Sequence, residues 1–358
     1  MEIKDFYLWL SLVPGVGNKT IENIRNLGID IKDLFYMKDD EILNIKNINT
    51  NIKQNIVKYK SISYIDTLKE KLKNTKVDYI CIEDDDYPEK LRNIYNPPNI
   101  LYYKGDISLL KENILAIVGS RKCSDYGIYY AKKFAKELSD EGFIIVSGLA
   151  TGIDSYAHIG CLNGKSKTIA VLGSSANDVT PKKNINLYHK ILDNNGLILS
   201  EYFVDKSVHP SNFVNRNRII SGISDGVLLV EAYKKSGSLI TVNFGLEQGK
   251  NIFSVPANIN YSSSEGCNNI IKQGAKLVTD ISDILEEYNI IKKVEIKKYD
   301  LNEDEKIIVE LVKNKGICNI DYICDNTCFN IKDITSITSR LVLKDILVEI
   351  GSKNYSLN

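Results

Sequence analysis

Between Ile114 and Pro256 the chain alternates short β-branched runs with helix-length amphipathic segments, and this alternation constrains the fold more than any other feature. The runs are Ile114–Val118, Phe143–Val146, Thr168–Leu172, Leu197–Leu199, Val227–Val230 and Ile252–Val255. Strands that are apolar throughout are covered on both faces, which requires helices on both sides of a parallel sheet. Between the first two runs, Ala131, Phe134, Ala135 and Leu138 recur at helical spacing, with Gly142 placed to stop the helix. The pattern predicts a doubly wound α/β domain with a mostly parallel sheet. Such domains bind ligands beyond the carboxyl ends of their strands.

Those ends are therefore where function is sought. The first run ends in Gly119-Ser120-Arg121-Lys122 and the second in Ser147-Gly148. The third ends in Gly173-Ser174-Ser175, and the fifth reaches Glu231 and then Ser236-Gly237-Ser238. Small residues let backbone amides approach an anion, and a following helix N-terminus adds a favourable dipole. A further cluster, Phe213-Val214-Asn215-Arg216-Asn217-Arg218, lies between the fourth and fifth runs. Arginine forks chelate phosphates and the aromatic ring offers a stacking face, so the segment suits a polyanion with exposed bases. In the competing structural reading, Arg216 or Arg218 pairs with Asp225 or Glu231 to fix its helix. No GxGxxG turn or P-loop is present, and His158, His189 and His209 have neither an acid partner in evidence nor metal-ligand spacing. Ser236-Gly237-Ser238 could carry a nucleophile, but the sequence offers no base for it.

Around this region the chain reads as three further pieces. Residues 1–79 form a helical domain, with a hairpin built on Phe6, Trp9, Leu10 and Val13, a Pro14-Gly15-Val16-Gly17 turn, and Ile21, Ile24 and Leu27. The turn amides could hold a DNA phosphate or simply join packed helices. The α/β domain spans 80–288, and a charged linker spans 289–300. Residues 301–358 show three helices and then a hairpin, the order of a winged helix. Lys+Arg and Asp+Glu both number 46, so a nucleic-acid surface has to be a local cluster of cations. The seven cysteines are scattered without metal or disulfide spacing, and no apolar stretch is long enough to span a membrane. The expectation is a cytoplasmic protein with reduced thiols.

The motifs VGSRKCSDYG, VSGLATGIDSYAH, TIAVLG, LSEY, RNRIISG, VEAYKKSGSLIT, EQGK and SEGCNNIIKQGA, in this order from Val118 to Ala275, resemble the DNA-processing protein A (DprA/Smf) family. The resemblance implies an extended Rossmann-like domain that binds single-stranded DNA without catalysis or cofactor. It also implies a homodimer, expected through Val255–Leu285 with Ile259, Ile270, Ile271 and Leu277, and cooperation with the recombinase RecA. DNA contacts are implied at Gly119, Ser120 and Arg121 and at Arg216, Asn217 and Arg218, with Phe213 stacking. The rim of small and basic residues adds Lys122, Ser147, Gly148, Ser236, Gly237 and Ser238. The sequence departs from the family pattern at Ser175, Asn177, Thr180, Val214 and Ala257. Two other readings stand beside this one: an enzyme on nucleoside monophosphates, and a nucleotide-sensing module.

Overall fold

In the computed structural model, which describes residues 1–290, 301–344, 346–349 and 353–357, the run Ile114–Val118 lies inside a nine-stranded sheet, every residue buried. The strands are β1 (Asp78–Cys81), β2 (Ile100–Gly105), β3 (Ile114–Val118), β4 (Ile144–Ser147), β5 (Thr168–Leu172), β6 (Leu197–Ser200), β7 (Gly226–Leu229), β8 (Asn251–Ser254) and β9 (Lys276–Leu277). They are ordered β1-β2-β6-β5-β4-β3-β7-β8-β9. All pairings from β6 to β9 are parallel, while β1 and β2 add an antiparallel edge beside β6. The six expected strands are present, with ends shifted by a residue in four of them.

Alternation along β3 shows how the two layers arise. Leu115 and Ile117 point into a core with Phe134, Ala135 and Leu138 from the helix Asp125–Asp140. Ala116 and Val118 point into the opposite core with Ile219 and Ile223 from the helix Pro210–Ile223 and Val242 from the helix Ser238–Glu247. Both faces are covered, as continuous apolar strands require.

The chain steps from β3 through β4 and β5 to β6, then returns to place β7 on the other side of β3. This reversal is a topological switch point, where the loops after two neighbouring strands diverge and leave a crevice. Val118 lies opposite Leu229, and the Ser120 amide donates to the Glu231 carbonyl at 2.7 Å. The loops after β3 and β7 therefore start from one point.

Residues 1–292 form one compact unit and 293–358 another. Before β1, the helices Ile3–Ser11 and Asn18–Asn26 flank the expected turn, and Gly28 adopts φ +74° after the second. Phe6, Trp9 and Leu10 join the same core as the β2 residues Leu101 and Tyr102. In the second unit, the helices Glu303–Lys315, Ile320–Asp325 and Ile331–Leu343 surround Ile308, Val312, Ile334 and Leu341. Strands β10 (Ile317–Asn319), β11 (Leu347–Glu349) and β12 (Asn354–Leu357) form an antiparallel sheet ordered β10-β12-β11. From residue 291 on, the linker expected at 289–300 lies outside the described residues. Among the described residues, no helix is long and apolar enough to cross a membrane.

His158, on the helix Ile153–Leu162, is fully buried with Nδ1 2.7 Å from Thr168 Oγ1. Burial, aided by the Arg216 charge, pushes its pKa down to about 3. Below about pH 6.5 the unfolded chain takes up a proton that the folded chain refuses, so stability falls with falling pH through this window. His158→Gln should therefore lose less stability than the parent chain between about pH 7 and about pH 5, by about 2 kcal/mol. Urea unfolding at the two pH values measures this, and equal losses would rule His158 out as the titrating group.

Candidate nucleic-acid interface

The loop after β3 is tightly held. A Cβ on Gly119 would fall 2.6 Å from Ile153 Cγ1 and 2.9 Å from the Glu231 carbonyl oxygen, so only glycine fits there. Ser120 Oγ donates to the Lys122 carbonyl at 2.8 Å and accepts from the Lys122 amide at 3.1 Å. With its amide engaged by Glu231, Ser120 is knotted into its own turn, and the turn projects Arg121 and Lys122 into solvent. The Arg121 amide has no hydrogen-bond partner among the described residues.

Glu231 holds the next element. Its buried carboxylate accepts from the Ser124 amide at 2.9 Å and from Ser124 Oγ at 3.1 Å, at the N-terminus of the helix Asp125–Asp140. A negative charge there is stabilised by the helix dipole. Gly127 makes the room, because a Cβ would sit on Glu231 Oε2.

Arg216 is only 3% exposed. One Nη1 donates to the carbonyls of Gly148, at 2.8 Å, and Val171, and Nε donates to Asn217 Oδ1 at 3.2 Å. The guanidinium lies over Gly148, where a Cβ would collide with it, and the Gly148 amide donates to Asp154 Oδ2 at 3.1 Å. Burial pulls the Arg216 pKa down to about 10, opposed by the Asp154 charge. Burial likewise raises the Asp154 pKa, opposed by Arg216. The two charges offset one another beneath the surface.

Arg218 points elsewhere. Successive helical residues turn by about 100°, so two positions apart lie on nearly opposite faces. Its Nη2 donates to Glu201 Oε1 at 2.7 Å, and Asn18 Nδ2 donates to the same oxygen at 2.8 Å. It lines a separate cleft of about 470 Å³ beside the N-terminal helices. The arginine partners thus differ from Asp225 and Glu231, the acids of the competing structural reading. Asp225 instead pairs with Lys90 and accepts the Ile114 amide at 2.9 Å.

Phe213, one helical turn before Arg216, shares its face and is half-buried. It packs on Gly173 at the end of β5, where a Cβ would fall 2.7 Å from Phe213 Cδ1. Ser236-Gly237-Ser238 opens the helix Ser238–Glu247, with the two serine hydroxyls 2.8 Å apart.

A cleft of about 390 Å³ at the switch point brings together Gly119, Ser120, Arg121, Lys122, Phe213, Arg216, Asn217, Ser236, Gly237 and Ser238. Ser147 and Gly148 lie beneath it, Ser147 Oγ donating to the Ile117 carbonyl at 2.7 Å. Asp154, Tyr233 and Lys235, absent from the residues expected from sequence, also line the cleft. The signal is present in the sequence, since Tyr233 and Lys235 lie three residues and one residue before Ser236 and Asp154 follows the Gly152 turn. Arg121, Lys122 and Lys235 are exposed and form no ion pair among the described residues.

Residues 78–289 match the sequence model of a family described as DNA recombination-mediator protein A. The chain is similar to the DNA processing protein DprA of Streptococcus pneumoniae, 44% identical over 207 residues, which cover 58% of this chain and 73% of that one. The X-ray structure of DNA processing protein A from Streptococcus pneumoniae superposes with a TM-score of 0.69 at 34% identity, over 80% of this chain and 99% of that one. A structure of DNA processing protein A from Helicobacter pylori, described for its single-stranded DNA binding mode, superposes with a TM-score of 0.54 at 30% identity, over 60% of this chain and 97% of that one. The cleft lies wholly within the residues that match the family.

The two arginines of the cleft should behave differently on truncation. Arg216→Ala removes the cation facing buried Asp154 and leaves two carbonyls unbonded, at a cost of about 3–5 kcal/mol. Arg121→Ala, at an exposed position, should change stability by less than about 0.5 kcal/mol. Urea unfolding separates the two, and a harmless Arg216→Ala would show that the buried guanidinium is not a brace.

Proposed function

The chain belongs to the DNA recombination-mediator protein A family, and from that premise we propose that it binds single-stranded DNA in the cleft at the ends of β3 and β7 and performs no chemistry on it. One observation carries this reading. Three exposed cations, without an ion pair among the described residues, and a half-buried aromatic share a rim whose lining carboxylate, Asp154, is buried and faced by Arg216. Cations that follow a backbone, beside a ring that can stack a base, suit an unpaired strand without sequence preference.

The contacts divide by depth. Arg121, Lys122 and Lys235 neutralise phosphates, and the Arg121 amide and Ser236-Gly237-Ser238 hydrogen-bond them. Phe213 stacks a base, and Asn217 borders it. Gly119, Ser120, Ser147, Gly148 and Arg216 act from below by fixing the turns. Arg218 supports the same helix from its other face. The non-catalytic reading rests on Asp154, whose carboxylate is committed to the Gly148 amide and to Arg216.

The remaining roles follow from the family. The protein works with the recombinase RecA on DNA strands in the cytoplasm. It acts as a homodimer through the surface near Ile259 and Leu277, which are 87% and 44% exposed, whereas Ile270 packs into the domain's own core. Residues 1–79 are a helical accessory domain and residues 301–358 a winged-helix module.

Fluorescence anisotropy with single-stranded and duplex oligonucleotides across a salt series tests the binding site. Arg121→Ala/Lys122→Ala should flatten the log–log salt dependence for single strands by about 1.4, since each phosphate contact contributes about 0.7. Phe213→Ala should weaken binding by about 1–3 kcal/mol and leave the slope unchanged. A duplex preference, or a folded double variant with unaltered affinity and slope, would overturn the reading.

A further inference from the structure

Ala150 lines the first cleft, whereas its neighbours Thr151 and Gly152 line a second cleft of about 440 Å³. The two are separated by one wall. Gly152, at φ +81°, backs directly onto the turn that carries Arg121, and a Cβ there would fall 2.3 Å from the Ser120 carbonyl oxygen and 2.7 Å from that of Arg121. Internal hydrogen bonds hold the wall. Asn184 Nδ2 donates to the Leu149 carbonyl at 2.8 Å and to Ser155 Oγ at 3.0 Å, and Ser155 Oγ donates to the Ala150 carbonyl at 2.5 Å.

The second cleft has an unusual charge balance. Lys183 and Lys190 line it, both exposed and without an ion pair among the described residues. Asn163 and Asn186 supply neutral hydrogen-bonding groups, and among the described residues no aspartate or glutamate lines it. Other clefts of the same unit are mixed. The one lined by Arg218 carries Glu201 and Glu247, and the one beside Tyr87 carries Asp85, Asp86 and Glu89. A cleft with cations and no carboxylate selects for an anion. One that shares a wall with another cationic cleft selects for an anion long enough to cross that wall.

We propose that the second cleft holds the continuation of the single strand bound in the first, with Lys183 and Lys190 each neutralising a phosphate. The strand crosses the rim at Ala150-Thr151-Gly152. The inference rests on the single-strand reading of the first cleft, and it adds a direction and a second set of contacts. It also gives a role to the segment after β5, where the sequence departs from its family at Ser175, Asn177 and Thr180.

The test uses the full chain, a short oligothymidylate that fills one cleft, and a long one that reaches both. Lys183→Ala/Lys190→Ala is compared with Lys71→Ala/Lys111→Ala, which removes the same net charge from lysines outside both clefts that pair with Asp205 and Asp86. On the long strand the first variant should flatten the log–log salt dependence by about 1.4, and on the short strand it should match the parent chain. The control should leave both slopes unchanged. An unchanged long-strand slope, an equal change on the short strand, or an equal change in the control would overturn the second cleft. Arg121→Ala keeps the two readings apart. If it weakens both strands while the Lys183/Lys190 variant weakens neither, only the extended path fails. If the parent chain binds neither strand, the single-strand reading falls and the path with it.

Discussion

The cleft depends on a buried cation. The helix Pro210–Ile223 can present Phe213 and Asn217 at the switch point only if it is pinned to the strand ends beneath it. Arg216 is the pin, reaching the carbonyl after β4 and the last-but-one carbonyl of β5. A guanidinium this deep would be costly in isolation, because its hydration is lost. Asp154 offsets that cost, and Asp154 is itself held by the Gly148 amide at the start of the helix Ile153–Leu162. Arg216 thereby joins its helix to the ends of two strands, with the Asp154 charge beside it. Gly148 is the residue that lets the charges meet, since any side chain there would occupy the place of the guanidinium.

The same short segment braces the opposite side. Arg218 meets Glu201, Glu201 meets Asn18, and Asn18 accepts from Asn99 at 3.1 Å. The helix is thus fixed on one face to the strand ends and on the other to the N-terminal helices. Two arginines separated by one residue look in the sequence like a single basic patch. The 100° turn per residue makes them a two-sided brace, and the exposed cations come from the loops.

What could be read from the sequence follows from how local each signal is. The β3 to β8 strands were legible because both faces are buried, leaving unbroken β-branched runs. Strands β1, β2, β9 and β10 were not. Asp78–Cys81 and Ile100–Gly105 mix tyrosines with charged or polar residues because they sit toward an antiparallel edge, and β9 has two residues. The turns of the candidate site were legible from Gly and Ser at the ends of runs. The partners of Arg216 and Arg218 were not, because Asp154 and Glu201 come from distant segments that only the winding of the sheet brings close. Nearby acids in the sequence, Asp225 and Glu231, are the partners of the competing structural reading, and each is engaged by a backbone amide instead.

The chain carries equal numbers of acidic and basic residues, so its cationic rim has to be produced by folding. Near the carboxyl ends of the strands the fold does so by sorting. Glu231 is withdrawn to a helix N-terminus, Asp154 is faced by Arg216, and Glu201 is paired with Arg218. Each carboxylate is placed where a backbone amide or a buried guanidinium can receive it. The cations left over, Arg121, Lys122 and Lys235 on one side of the Ala150-Thr151-Gly152 wall and Lys183 and Lys190 on the other, stand on exposed turns or helix surfaces and face solvent. Withdrawing the acids has a cost that their partners offset only in part, since burial still raises the Asp154 pKa and Glu231 Oε1 is buried with no hydrogen-bond partner among the described residues. Exposing the cations costs little because water solvates them. A chain without net charge thereby gathers, at these two clefts, cations that form no ion pair among the described residues, and such a local cluster rather than net charge is what an anion meets there.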